Sequence, residues 1–383
     1  MRRRERVLRN FRDACKHRSV PMQLLDLITH KLKINTHWED YYRFGFYRQD
    51  KSWAERALYL SDSGSRYWPW EGNSLKFDAM FIRKSLQKSV AIAHDLPTTP
   101  FLMKVGKYYP INSKEKFAAE LAKISVPMIL KIDGGMRGAG IHLIEPDSGK
   151  YLHKGELVTV DWIWDRFKKN LDPGFIIEEK AQNHPVLDEV HPESFNTLRL
   201  STIRTADGQL HLARPFIKFG RGGTHVDNLN AGGVFAIVDE NHRLGTAFDA
   251  TGEAFENHPD TGVQISGLEV PFFEQAVELA FDASRVFGFM ATIGWDIGIT
   301  PDGPVLVEGN SRWGANDVQD FTGPFLTQEI ADGLMPRSWW TPWDKTHLYP
   351  YHMQRANGGW WQKSLAKRRR NLTALPTLKP VRN

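Results

Sequence analysis

An α+β protein with antiparallel sheets and more than one lobe is the fold class this sequence predicts. Three observations predict it. Apolar runs that stop at a turn and resume, at 126–145, 195–220, 231–249 and 292–310, have the outline of antiparallel hairpins. Other stretches space their apolar residues at the helical period. The 383 residues exceed the usual size of one compact core, so two or three lobes are expected.

Taken in order, residues 1–75 mix basic and aromatic side chains, and "LLDLITHKLKI" and "SWAERALYL" carry helical spacing, which predicts a mainly helical N-terminal region. "KFDAMFIRKSLQKSVAIAH" continues that period as one segment until the prolines of "DLPTTPFL" end it. A strand and turn follow near Phe101–Pro110, then a helix over "SKEKFAAELAKI" with Ser113 as N-cap. "GFIIEEKA" is a short buried strand ending in charges, and "FNTLRLSTIRTADGQLHLARPFIKFG" is two strands joined at Asp207-Gly208. "AGGVFAIVDENHRLGTAFD" repeats that pattern, and "PFFEQAVELAFDASRVFG" is a long amphipathic helix. A Pro/Trp-rich tail closes the chain.

Composition narrows the function. The net charge of +5 favours an anionic partner, and the basic residues concentrate in "MRRRERVLRNFR" and "WWQKSLAKRRRN". No run approaches the roughly 18 apolar residues of a membrane span. The basic N-terminus lacks a secretory apolar segment, so the cytoplasm is the expected compartment. A single cysteine, Cys15, excludes an intrachain disulfide, and the 14 histidines show no ligand spacing better than His184 and His191 in a Pro-flanked loop.

The stretch "TIGWDIGITPDGPVLVEGN" bears most on chemistry. A turn centred on Asp302 sets Ile299 opposite Val305, Ile297 opposite Val307, Asp296 opposite Glu308 and Gly294 opposite Asn310. One face is then apolar, and the other carries Asp296, Glu308 and Asn310 with Gly294 and Gly298. Opposed residues have β-carbons about 5 Å apart, so their carboxylates repel unless something positive lies between them. Hard oxygen ligands without nitrogen or sulfur suit magnesium completed by phosphate oxygens, and the glycines leave room for a polyphosphate. Upstream, "KIDGGMRGAGIH" offers Gly134, Gly135, Gly138 and Gly140 with Arg137 and Lys131 as a phosphate cradle, though it is neither a Walker nor a dinucleotide loop. Glu178 and the adjoining backbone suit an adenine edge. Arg199 and Arg214, more than Lys218 or Arg221, suit a transferring phosphoryl group or a substrate carboxylate.

Order and content of "EEKAQNHP…FNTLRL", "FGRGGTHVDNLNAGGVFAIVD" and "GWDIGITPDGPVLVEGNSRWG" resemble the ATP-grasp superfamily, most closely its sugar-transfer associated branch, from about Lys76 to Val318. The resemblance implies two α+β lobes whose antiparallel sheets clasp ATP: a small lobe with a glycine-rich flap over 76–182 and a large lobe with a metal site over 183–335. These follow the helical region 1–75 and precede an aromatic and basic tail, 336–383. It implies nucleotide roles for Lys84, Lys131, Gly134, Gly135, Arg137 and Gly138. The hinge would be Glu178, Glu179, Lys180 and Ala181, the ribose acid Asp188 or Glu189, and Asn228 would lie in the substrate-side loop. Asp296, Glu308 and Asn310 would hold two magnesium ions, with manganese as a substitute, and Arg199, Arg214 and Arg312 would act on phosphoryl and carboxylate groups. The chain departs from the family pattern in lacking an Asp-Lys dipeptide at Lys84 and in having Gly309 where valine is usual.

The activity so implied is ATP-dependent joining of a carboxylate to an amine through an acyl phosphate, the substrate being an amino acid, peptide or sugar acid. A small-molecule kinase on the same fold is the alternative. A non-catalytic nucleotide-binding role is another, with basic ends on membrane or nucleic acid, of which nucleic acid is the less favoured partner. No motif sets the oligomeric state, and a homodimer stays open.

Overall fold

The computed structural model describes residues 3–60, 73, 77–135, 140–205 and 207–334. The predicted α+β class is what it shows. Four helices open the chain: α1 (Arg3–His17), α2 (Val20–Ile34), α3 (Trp38–Arg43) and α4 (Trp53–Ala57). Aromatic residues of this region, including Tyr41, Phe46 and Tyr59, share one core with Phe216, Phe235, Trp313 and Phe325 from much later in the chain. The helical region is therefore packed onto the second sheet and its flanking helices, and does not close a core of its own.

The predicted helix from Lys76 to His94 is two helices, α5 (Asp78–Ile82) and α6 (Lys84–Ala93), because Arg83 between them is extended at φ −91° and ψ 96°. Lys84 thus starts a helix. After it come β1 (Phe101–Val105), α7 (Lys114–Leu121), β2 (Met128–Ile132), β3 (His142–Asp147), β4 (Lys150–His153), β5 (Glu156–Val158), α8 (Val160–Phe167) and β6 (Phe175–Glu179). The Ser113 hydroxyl accepts from Lys116 N as the cap predicted for α7. These strands form a six-stranded sheet in the order β1-β6-β2-β3-β4-β5, packed on α7 and α8 through Phe117, Trp164 and Phe175.

The rest supplies α9 (Pro185–Val190), β7 (Thr197–Arg204), β8 (Leu210–Leu212), β9 (Phe216–Phe219), β10 (Val234–Val238), β11 (Leu244–Asp249), β12 (Ala254–Phe255), α10 (Phe273–Val286), β13 (Thr292–Thr300), β14 (Gly303–Asn310), α11 (Asn316–Thr322) and α12 (Gln328–Gly333). The second sheet runs β12-β11-β10-β9-β7-β13-β14, with β8 beside β7, and α10 covers its apolar face. All pairs of these named strands are antiparallel. The two sheets meet where Leu306 of β14 bonds Pro97 O and Thr99 N, just ahead of β1. No helix among the described residues is long and apolar enough to cross a membrane.

Candidate functional site

Strand alternation builds the floor of the site. On β7, Leu198 and Leu200 enter the core and Arg199 turns to the other face; Ile217 and Phe219 likewise leave Lys218 outside, and Ile297 leaves Asp296. Register then lines up Glu308 on β14, Asp296 on β13 and Arg199 on β7 in one row. Thr197 and Lys218 pair in the adjoining row.

The hairpin pairing predicted from sequence holds from Gly294–Asn310 to Asp296–Glu308 and fails beyond. Ile297 faces Leu306 and Ile299 faces Pro304, because the turn is one residue tighter than a centre on Asp302 requires. A bulge at Val307 absorbs the difference. It sends Leu306 into the core and leaves Val307 lining the cavity, so the apolar face and the acid face both survive. The two glycines do not leave room for a polyphosphate. A Cβ at Gly294 would meet Trp313 at 2.5 Å, and one at Gly298 would meet the Phe195 ring at 2.1 Å. They admit aromatic walls.

These walls, the floor and the six-stranded sheet enclose a cavity of about 510 Å³. Six acids and six Lys or Arg residues line it among the described residues, so it suits an anion that arrives with its own cation better than a bare anion. The positive charge that the paired acids demand comes from side chains. Arg199 donates from Nε at 2.8 Å and Nη2 at 3.1 Å to the two oxygens of Asp296, and Lys218 Nζ lies 2.9 Å from the same carboxylate. Lys84 pairs with Glu308. Burial alone would raise both carboxyls; Arg199 and Lys218 hold Asp296 far below the usual range, and Lys84 holds Glu308 below it despite Asp296. The Asn310 amide sits 3.3 Å from Asp296.

Two ionised carboxylates and an amide are a hard donor set. Among the described residues no three His, Cys, Asp or Glu side chains cluster as metal ligands, so a divalent ion here would complete its shell with water or phosphate oxygens. The residues fit magnesium on those terms.

Helix α6 ties the two sheets together by its i, i+3, i+4 face. Lys84 reaches Glu308; Gln87 bonds the N–H and the C=O of Gly309 at 2.7 and 3.0 Å; Lys88 lies 2.6 Å from Glu178. Glu178 also receives Lys131 at 2.8 Å and Thr99 Oγ1 at 3.1 Å. Burial would raise its carboxyl, yet the two lysines bring it down to about 2. Lys88 is itself drawn down to about 8 by burial, with Glu178 opposing. Asp133, at the base of the glycine loop, accepts from Ser85 N at 2.9 Å and Ser85 Oγ at 2.7 Å, fastening the loop to the start of α6.

Most residues singled out from sequence converge on this cavity. Lys131 and Gly135 line its loop side, and Glu178 lines it with Glu179, Lys180 and Ala181, where the chain leaves β6. Asn228 and Arg312 also line it, Arg312 held by Asp78 at 3.0 Å. Gly134, at φ +134°, lies beside Ile82. Arg137 and Gly138 are outside the described residues.

Gly134 is not among the lining residues, and neither are Arg214, Asp188 and Glu189. Arg214 precedes β9 and donates to Thr322 O, away from the lining residues, because the alternation of β9 begins after it and assigns the inward cation to Lys218. Glu189 is exposed on α9 and Asp188 accepts from Asn183, whereas Glu193 lines the cavity. Lys88 and Trp313 carry no motif in the sequence, whereas Asp227, with Asn228, belongs to the second glycine-rich turn. Asp227 Oδ2 accepts from Thr197 N at 3.0 Å and Thr197 Oγ1 at 2.5 Å, and burial raises its carboxyl against the pull of Lys218. The spacing of Lys84, Gln87 and Lys88 was the available signal for Lys88.

The sequence model of the family described as sugar-transfer associated ATP-grasp matches residues 72–331, and the protein belongs to that family. Its fold is the ATP-grasp fold. Among solved structures, it is similar to the ADP complex of N5-carboxyaminoimidazole ribonucleotide synthetase at 13% identity and TM-score 0.40, covering 64% of this chain and 48% of that one. It is similar to D-alanine–D-alanine ligase from Bacillus anthracis at 13% and 0.37, covering 66% and 62%. Biotin carboxylase from Campylobacter jejuni stands at 14% and 0.41, covering 68% and 48%. The chain thus spans about half to three-fifths of the length of these solved chains. No curated protein matches it.

Proposed function

We propose that the protein is an ATP- and magnesium-dependent carboxylate–amine ligase. The observation that carries the reading is the row Glu308–Asp296–Arg199, with Asn310 beside it, Lys84 paired to Glu308 and Lys131 lining the same cavity. Asp296, Glu308 and Asn310 are the residues that would hold magnesium. When bound, magnesium neutralises charge on the phosphate oxygens. As the nucleotide enters, Lys84 and Lys218 exchange their carboxylate partners for phosphate oxygens, and Arg199 faces the phosphoryl group being transferred. Lys131 and Gly135 cover the phosphates from the loop side, and the Glu179–Ala181 backbone receives the adenine edge.

A substrate carboxylate oxygen, oriented by Arg312 near Asn228, attacks the γ-phosphorus; the bond to the β–γ bridging oxygen breaks and ADP leaves. An amine then attacks the acyl carbon, phosphate departs, and the amine proton passes to a base. Asp227, whose carboxyl is raised by burial, is suited to take it. Closure over the cavity keeps water from the acyl phosphate.

Incubation with Mg-ATP and pools of amino acids, sugar acids and peptides tests the reading. ADP, phosphate and a new amide mass are expected. A stable phosphoester would make the protein a kinase on the same fold, and nucleotide binding with no turnover on any pool would remove the catalytic reading.

A further inference from the structure

Helices α1 and α2 each leave large apolar side chains exposed. On α2, Val20, Leu24, Ile28 and Leu32 recur every fourth residue with Leu25 beside them, and each is at least half exposed. Leu8 and Phe11 are exposed on α1. The inner side of α2 is already used, for Gln23, His30 and Ile34 are buried. Single exposed leucines are ordinary; five adjacent apolar residues on one helix mark a surface that meets something.

Charge decides what that is. Residues 1–35 hold ten Lys and Arg against three Asp and Glu, a net of +7 in a chain whose total is +5. Two of those acids are already paired with other side chains. Asp13 takes Tyr47 at 2.7 Å and Arg48 at 3.0 Å, while Asp26 takes Arg18 at 2.8 and 3.0 Å and Tyr41 at 2.9 Å. Arg9, Arg12 and Lys16 are exposed on α1, and Lys33 stands 4.5 Å over the ring of Trp53. Trp38 and Trp53 are themselves exposed near the end of α2. A second copy docked through this face would bring two strongly positive segments together, which Coulomb repulsion opposes. A phosphate-rich lipid surface offers the opposite charge, an apolar interior for the leucines and an interface in which tryptophan is at home.

We propose that the outward face of α1 and α2 docks the protein on an anionic lipid surface, with Leu24, Ile28 and Leu32 entering the headgroup boundary and the flanking cations on lipid phosphates. The attachment is peripheral and independent of the ligase reading.

Flotation of the full chain with vesicles of phosphatidylcholine alone and of phosphatidylcholine with 30% phosphatidylglycerol is the test; binding is expected only to the second, falling as salt rises. The double substitution Leu24→Glu/Ile28→Glu should lower that binding by about tenfold or more with an unchanged circular dichroism spectrum. Should that variant misfold, the milder Leu24→Ser/Leu25→Ser/Ile28→Ser is expected to show the same loss. Three results would overturn the proposal: variant binding equal to the parent's, a concentration-dependent dimer that either variant abolishes, or tighter binding to an oligonucleotide that removes the vesicle signal.

Discussion

In the six-stranded sheet the buried acid Glu178 meets Lys88, Lys131 and Thr99, whereas in the eight-stranded sheet Asp296 and Glu308 meet Arg199, Lys218 and Lys84. Both walls of the cavity hold carboxylates by cations, but the settings differ. Glu178 stands alone among lysines, so its charge serves to fix where they point. Asp296 and Glu308 face each other across a strand pair and repel, so the cations beside them are exchangeable for any stronger positive charge that arrives with a ligand. On the function proposed above, the first wall would position and the second would exchange.

The largest effect should come from neutralising the exchanging wall. Asp296→Asn with Glu308→Gln is expected to lower ATP turnover on the order of a thousandfold while leaving the fold intact, since Arg199, Lys218 and Lys84 then lose partners they can replace with solvent or phosphate. Steady-state kinetics with urea unfolding on the same sample checks both halves. On the positioning wall the loss should appear as stability. Glu178→Gln leaves Lys88 and Lys131 close together without their shared counterion, and a cost of about 3 kcal/mol in urea unfolding is expected. Equal stability in that variant would erase the distinction between the walls.

Smaller effects fall on single cations. Lys218→Met should reduce turnover about a hundredfold, whereas Arg214→Ala should leave turnover unchanged and cost about 1 kcal/mol of stability through the lost bond to Thr322 O. The order of those two kinetic results separates the cavity cation from the structural one.

Smallest is a pH effect. Lys88 in the folded protein loses its proton at about 8, below its ordinary 10.5, because burial penalises the ammonium. That penalty is fully present below about pH 8 and is relieved as pH rises from about 8 toward 10.5, so folding gains on the alkaline side. Between pH 7 and 9 the stability of the parent relative to Lys88→Met should rise by about 1 kcal/mol. Glu178 acts in the opposite range: its carboxyl is depressed from 4.5 to about 2, so its contribution is complete above about pH 4.5 and disappears as pH falls through about 2.

Much of the site was legible because strand alternation is local. The sequence "GWDIG" read against "VEGN" places Asp296 opposite Glu308 without knowledge of any other strand, provided the pairing near Asn310 is right, and there it is. The same reasoning erred toward the turn, where one residue of slack became the bulge at Val307. It also misjudged Gly294 and Gly298, since the space a glycine opens belongs to whichever side chain reaches it, and Trp313 and Phe195 come from other segments. Arg214 and Lys218 part for a related reason: one precedes and the other occupies the same short strand, and only the register of β9 against β7 says which lines the cavity.

Periodicity and motif spacing are properties of neighbouring residues, and they were enough for the α+β class and for the pairing of Asp296 with Glu308, while the order of the motifs carried the resemblance to the family. The choice of cations that neutralise those acids is a property of the folded chain. Lys84, Lys88, Lys131, Arg199 and Lys218 come from a helix and three strands up to 134 positions apart, and a charge chooses its partner by distance in space.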